Sequence, residues 1–146
     1  MAIDRTGKWW KGLTFADLAE YVVLLETEGY PIGRVVQAKC SCGHTVFSLR
    51  ADWRQGCALR TCTSCGKETF ICDSEEYWKE EETEPETVKC VCGGEKLEIG
   101  VGFSFRDEND IRWITVGHRC VTCGTLASYV NWKINYSPSL QLLDMV

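Results

Sequence analysis

Four short cysteine motifs, each closed by a glycine, limit what this 146-residue chain can fold into more than any other feature. They are C-S-C-G at 40–43, C-T-S-C-G at 62–66, C-V-C-G at 90–93 and C-V-T-C-G at 120–124. Two cysteines one or two residues apart can grip one side of a metal ion from a tight turn. Glycine after the second cysteine permits the positive φ and close approach that such a turn needs. The turn also aims backbone N–H groups at the thiolates. Zn²⁺ favours four tetrahedral sulfur ligands in a structural site, so two knuckles joined across a hairpin complete one site. The order C-x-C, C-x-x-C, C-x-C, C-x-x-C is an internal duplication of one supersecondary unit. The simplest scheme gives Cys40, Cys42, Cys62 and Cys65 to one structural zinc, and Cys90, Cys92, Cys120 and Cys123 to a second. A crossed scheme would have to close a site across the 24 residues between Cys65 and Cys90, which are acidic and helix-like.

Ten cysteines also raise the alternative of a disulfide framework. Against it, the start M-A-I-D-R-T-G-K-W-W has no apolar export segment, and eight of the ten cysteines fall in close pairs. The expected compartment is the cytosol, where stable disulfides are disfavoured. No stretch approaches the roughly 20 apolar residues that cross a bilayer, so no membrane partner is expected. Cys57 and Cys72 are left over. Superposing the C-x-x-C motifs sets them over Thr115 and Val130, neither a ligand. They read as small core thiols or as a redox pair, for which no activating base stands nearby. His44 and His118 read as ordinary strand or loop residues, or as groups that tune a site from behind its ligands.

The segments between the knuckles read as strands: Thr45–Ala51, Ala58–Arg60 and Thr69–Cys72 in the first unit, then Lys96–Phe105, Ile111–Arg119 and Thr125–Ile134 in the second. The second hairpin is the longer, with 27 residues between knuckles against 19, and its turn Arg106-Asp107-Glu108-Asn109-Asp110 has good hairpin chemistry. Over about residues 36–73 and 87–135 this organisation resembles tandem zinc ribbons, small three-stranded zinc β-ribbon modules. The C-x-C first knuckle departs from the commoner C-x-x-C. The expected fold class is α+β and mostly β: two consecutive three-stranded ribbons with an N-terminal helix packed on the first. The corresponding organisation is a helical segment at 1–35, ribbon 1 at 36–73, an acidic helical connector at 74–89, and ribbon 2 with a C-terminal tail at 90–146.

Residues 14–28 carry Phe15, Leu18, Ala19, Val22 and Leu25 at helical spacing. Thr14 can cap that helix with Asp17 three residues on, and Gly29 and Pro31 end it. Ribbons this small lack a core of their own, so the apolar stripe is expected against ribbon 1, with a partner-binding helix as the alternative. Trp9 and Trp10, beside Lys8 and Lys11, either cover this helix or stand exposed. At the other end Leu140, Leu142, Leu143, Met145 and Val146 are expected to tuck against the body.

The formal charge of −5 is unevenly spread. Residues 73–89 hold two Lys/Arg against eight Asp/Glu, so the acidity lives in the connector. Two ions with eight thiolates would bring the loaded chain near −9. The run D-S-E-E-Y-W-K-E-E-E at 73–82 looks like a short helix capped by Asp73 or Ser74, with Glu75 and Glu76 suited to its positive end. It reads either as a solvated linker or as an interface in which Glu75, Glu76, Glu80, Glu81 and Glu82 meet a basic partner around Tyr77 and Trp78. No Ser/His/Asp grouping, phosphate-binding glycine loop or H-x-E metal motif is present, so no enzymatic activity is expected. A small acidic chain of this kind bears a weaker, overall resemblance to bacterial immunity proteins. That resemblance implies binding and occlusion of a toxin domain or another basic partner. The alternative is a nucleic-acid-binding or transcription-associated ribbon. It would draw on Arg50, Arg54, Arg60 and Lys67 near Phe47 and Trp53, although the chain lacks the basic excess usual for that role.

Overall fold

The computed structural model describes residues 3–25 and 29–146. Helix α1 covers Phe15–Leu25, and the expected residues 26–28 lie outside the described ones. The strands are β1 (Arg34–Gln37), β2 (Phe47–Asp52), β3 (Cys57–Cys62), β4 (Glu68–Phe70), β5 (Glu86–Thr87), β6 (Leu97–Phe105), β7 (Ile111–Cys120) and β8 (Leu126–Lys133). A short helix α2 (Ser74–Trp78) precedes β5, and a 3₁₀ turn at Leu140–Asp144 ends the chain. The class is α+β and mostly β.

The six ribbon strands form one antiparallel path, β4-β3-β2-β6-β7-β8. That order is a palindrome of the duplication. Phe47 and Leu97 each stand five residues after the second cysteine of their C-x-C motif, and they face each other at the only register point between β2 and β6. The registers within each unit match position for position. Phe47 pairs with Cys62 as Leu97 pairs with Cys120, and Leu49 pairs with Arg60 as Ile99 pairs with His118. A pseudo-twofold axis therefore passes between the units, the geometry of a symmetric dimer within one chain.

The strand ahead of each first knuckle crosses that axis. β1 leads into Cys40 but pairs with β6 of the second unit, Val36 facing Val101. β5 leads into Cys90 but pairs with β2 of the first, Glu86 facing Ala51. The equivalent hydrogen bonds match as well: Ala38 N–H donates to the Ile99 carbonyl at 2.9 Å, and Val88 N–H to that of Leu49 at 2.8 Å. The sheet also bends on itself, so that β3 lies against β8. At Gly56, the β2–β3 turn comes so close to Trp132 that a Cβ there would stand 2.6 Å from the Trp132 Cβ. The larger apolar cluster is shared by both units: Phe47, Leu49 and Ile71 with Leu97, Ile99, Val101, Ile114 and Val130; a smaller one, Ile3, Leu18, Val22, Ile32 and Leu126, lies under α1.

Helix α1 packs on β6 and β7 of the second unit, with lesser contact to β1. This corrects the expected docking on the first ribbon, and the reason is side-chain volume. Gly100, Gly102 and Gly117 form a bare trough that receives Phe15, Leu18 and Val22; a Cβ on Gly102 would stand 2.6 Å from a Val22 methyl. The repeat-equivalent positions in the first unit are Arg50, Asp52 and Leu59, whose side chains fill that space. There Phe70 and Trp78 provide the cover, with ring centroids 5.6 Å apart. The Asp17 carboxylate secures the start of α1 by accepting Leu13 N–H at 2.8 Å. Arg119 joins Glu98 at 2.6 Å and reaches the Gly12 carbonyl at 3.2 Å, tying the N-terminal segment to the same face.

α2 is shorter than the expected 73–82 and has no side-chain cap. Asp73 is engaged elsewhere, accepting from Trp132 Nε1 at 3.0 Å and from the Tyr136 hydroxyl at 2.8 Å. Ser74 Oγ is taken up between the Ile71 carbonyl and Ala58 N–H. The Thr83 hydroxyl donates to the Tyr77 carbonyl and stops the helix. In the tail, Leu142 is buried and Leu140, Leu143 and Val146 pack on the core, while Met145 stays exposed.

Filling the trough should be costly. Gly117→Ala is expected to destabilise the zinc-loaded chain by about 1–3 kcal/mol through overpacking against Val22. Gly7→Ala, where a Cβ meets ordinary contact distance, should stay within about 0.5 kcal/mol of the parent. Denaturant unfolding of the three chains measures both.

Candidate metal centres

Each tetrad is assembled from one C-x-C turn and one C-x-x-C turn. The closing glycines adopt φ of +94° at Gly43, +78° at Gly66, +90° at Gly93 and +83° at Gly124, a region that L side chains avoid. In the C-x-C turns Gly43 N–H bonds the Cys40 carbonyl and Gly93 N–H that of Cys90, both at 2.8 Å. In the C-x-x-C turns Gly66 and Gly124 bond the carbonyls of Cys62 and Cys120 at 2.9 and 2.8 Å. The β2–β3 and β6–β7 hairpins then bring each pair of knuckles face to face.

The eight cysteines fall into the uncrossed sets: Cys40, Cys42, Cys62 and Cys65, and Cys90, Cys92, Cys120 and Cys123. Within each set all sulfurs lie within 4.8 Å of one another. Across the first set Cys40 and Cys65 are 3.5 Å apart and Cys42 and Cys62 3.7 Å. Across the second, Cys90 and Cys123 are 3.4 Å apart and Cys92 and Cys120 3.7 Å. A tetrahedron with Zn–S bonds of about 2.3 Å has edges of about 3.8 Å, so both tetrads are of the size that such an ion needs. None of the ten cysteines is in a disulfide. The two sites therefore suit two structural zinc ions, and four thiolates fill each coordination sphere.

The local field favours thiolate at particular sulfurs. The backbone N–H of Cys42 is the main influence on Cys40 and brings its pKa down to about 6. At Cys123 burial works against ionisation, but the Thr125 hydroxyl, 3.1 Å away, and its backbone N–H prevail and hold the pKa at about 6. Cys57 and Cys72 lie outside both tetrads and are buried. Burial pushes the Cys57 thiol up to about 11, and Cys72 higher still, which makes them inert as nucleophiles at neutral pH. His44 sits beside the first knuckle, its Nε2 3.0 Å from the Thr63 hydroxyl. His118 is buried between its register partners Ile99 and Ala127, and burial pulls its pKa down to about 4, keeping it neutral.

The connector residues have mixed fates. Glu75, Glu76, Glu80, Glu81 and Glu82 are exposed, and Glu75 pairs with Lys79 at 3.6 Å across one helical turn. Tyr77 and Trp78 are half-buried. Trp78 is clamped between Phe70 and the Arg50 guanidinium, 5.4 Å from its ring centroid. Sequence reasoning missed Asp52, which organises this region. Its Oδ1 accepts Arg54 and Gln55 N–H and its Oδ2 accepts Glu84 N–H at 2.8 Å. Beside it Trp53 (57% exposed), Glu82, Glu84, Glu86 and Tyr129 line a cavity of about 160 Å³. Among the basic residues considered for nucleic acid, Arg60 is buried over Phe47 and Arg50 lies on Trp78. Arg54 and Trp53 remain outside, next to carboxylates.

Compared with protein-family models, curated proteins and solved structures, the chain matches none of them. No helix among the described residues is long and apolar enough to cross a membrane.

Metal removal tests the centres directly. Chelation under reducing conditions is expected to abolish the β-sheet circular dichroism, since a structural zinc supplies on the order of 10 kcal/mol. Cys62→Ser should lower the bound zinc from two equivalents to about one by atomic absorption; a variant retaining both would overturn the ligand sets.

Proposed function

We propose that this chain is a non-enzymatic binding protein in which two zinc centres hold an acidic face for a basic protein partner, in the manner of an immunity or inhibitor protein that occludes a toxin domain. The observation that carries this reading is the anchoring of the acidic connector. Trp78 is packed at one end, Asp52 holds the Glu84 backbone at the other, and β5 joins the sheet directly after. A solvated linker needs none of these attachments. The connector glutamates thus stand on attached backbone; one of the five, Glu82, lines a cavity with Glu84 and Glu86 beside the exposed Trp53, and a large aromatic flanked by same-sign charge suits an interface anchor with a charged rim. The filled coordination spheres support a binding role over a catalytic one, because a catalytic zinc keeps a position open for water or substrate.

Glu75, Glu76, Glu80, Glu81 and Glu82, all changed to lysine in one variant, provide the test. Immobilised parent chain is expected to retain a basic protein from an extract of the source cell, and rising salt should release it. The charge-reversed chain should bind the same protein roughly ten-fold or more weakly. Equal retention by both chains, with the same salt dependence, would end the reading. A filter-binding assay with DNA and RNA at low salt addresses the alternative, because phosphate contact weakens steeply as salt rises.

A further inference from the structure

The far end of the second hairpin holds a cavity of about 310 Å³ lined by Tyr30, Arg106, Arg112, Lys133, Ile134 and Asn135. Three of these residues are cations, and no carboxylate lines the cavity among the described residues. Such a cluster stands out in a chain whose formal charge is −5. Counting from the C-x-x-C motifs, Lys133 stands where the first unit has Glu75, so the two halves carry opposite charge at that place.

The cations are held in place without being neutralised. Arg106 Nη2 donates to the Ile134 carbonyl at 3.1 Å. Ile134 N–H donates to the Arg112 carbonyl at 2.9 Å, so the buried Ile134 joins the two arginines. The Arg112 guanidinium lies over the Tyr30 ring, 4.7 Å from its centre, and that ring rests against Trp113 with centroids 6.0 Å apart. Lys133 faces Trp113 across β7 and β8. None of the three cations forms an ion pair among the described residues. The acids of the adjoining turn bond other groups. Asp107 accepts the N–H groups of Asn109 and Asp110, and Asp110 accepts the hydroxyls of Ser137 and Ser139 at 2.9 and 3.2 Å. Glu108 stands exposed in the turn. Like charges gathered at one place repel, and two of the carboxylates that could offset them are occupied by neutral donors.

We propose that this cavity binds a phosphate dianion, free or carried as the monoester of a small molecule. A guanidinium presents a planar fork of N–H donors that matches phosphate oxygens. The Arg112 side chain donates no hydrogen bond to the described residues, and that of Arg106 donates only to Ile134. A phosphate monoester carries about −1.5 to −2 at neutral pH, which suits three cations better than the single charge of a carboxylate. Contact with Tyr30 orders Arg112 before a ligand arrives, and a side chain already ordered loses less freedom on binding. The volume is at the small end of ligand cavities, which run from roughly 300 Å³ upwards. This site lies on the second unit, apart from the acidic connector, and stands independently of the protein-binding role proposed above.

Nuclear magnetic resonance of the ¹⁵N-labelled, zinc-loaded chain tests the site, with inorganic phosphate and adenosine monophosphate added at constant ionic strength. Saturable shifts are expected at the Arg106, Arg112 and Ile134 amides and at the Arg112 side chain. Arg112→Gln should weaken binding of both probes roughly ten-fold or more, the loss expected for a charge-assisted contact. Lys67→Gln, which removes a cation outside the cavity, should leave it at the parent value. Tighter binding of the nucleotide identifies a monoester as the source of the phosphate, and equal binding identifies the free ion; both support the site. Shifts that never saturate and spread over cations elsewhere would overturn the proposal, as would unchanged affinity in Arg112→Gln. An oligonucleotide with a 5′-hydroxyl carries only phosphodiesters; if it bound more tightly than either probe, the proposal would fail in favour of a nucleic-acid surface. Should Arg112→Gln fail to fold, Lys133→Gln at an exposed position takes its place with the same expected weakening.

Discussion

Each unit lends the strand ahead of its first knuckle to the other, and most of the structure depends on that exchange. β1 and β5 cross the pseudo-twofold axis, so the chain entering each C-x-C turn is held by the opposite unit. A free-standing ribbon would have to position that turn by its hairpin alone. Here the pairing fixes the approach, and the single Phe47–Leu97 register point lets the sheet bend so that one core serves both halves. A core shared between the halves suits the small size of each, since units this short bury too little surface to be stable alone.

Zinc and core are therefore coupled contributions. The knuckle cysteines belong to the same buried cluster as the aliphatic residues: Cys40 and Cys62 beside Phe47, Cys90 and Cys120 beside Leu97. A metal that orders a knuckle also orders the first residues of the strands that make the core. The gain from a structural zinc, on the order of 10 kcal/mol, is as large as the net stability of an ordinary domain. Marginal apolar burial in each half can thus coexist with a defined fold, and the thiolates' charge becomes a cost that the scaffold meets with backbone N–H groups at the knuckles.

The ribbon strands and ligand sets were legible because their signals are local. Cysteine spacing, closing glycines and alternating burial sit within a few residues of one another. The exchange was not legible. Arg34-Val35-Val36-Gln37 is a short run whose partner lies some sixty residues away, and nothing in it distinguishes pairing with β6 from pairing with its own unit. The site of α1 was hidden for a related reason. Gly100, Gly102 and Gly117 mark a trough only when β6 and β7 are seen side by side, since two of the three are separated from the other by a whole hairpin. Asp52 carried no signal in the sequence, and Arg60 stood among the basic residues considered for nucleic acid; both are buried.

Duplication leaves a record in what the two halves keep and what they let drift. Every register point of β2–β3 has its counterpart in β6–β7, because a slip of one residue would turn the core face outward. The outer faces have diverged completely. One half is bare glycine under an amphipathic helix; the other carries Arg50, Leu59 and Phe70 beneath Trp78 and the acidic connector. The knuckle tips differ in the same way, Ser41 and Thr63 on one side against exposed Val91 and Val121 on the other. Selection for stability acts on both halves alike, so it accounts for the shared interior and not for these differences. The asymmetry sets the acidic connector and the exposed Trp53 together on the outside of the first unit and leaves the outer face of the second under α1.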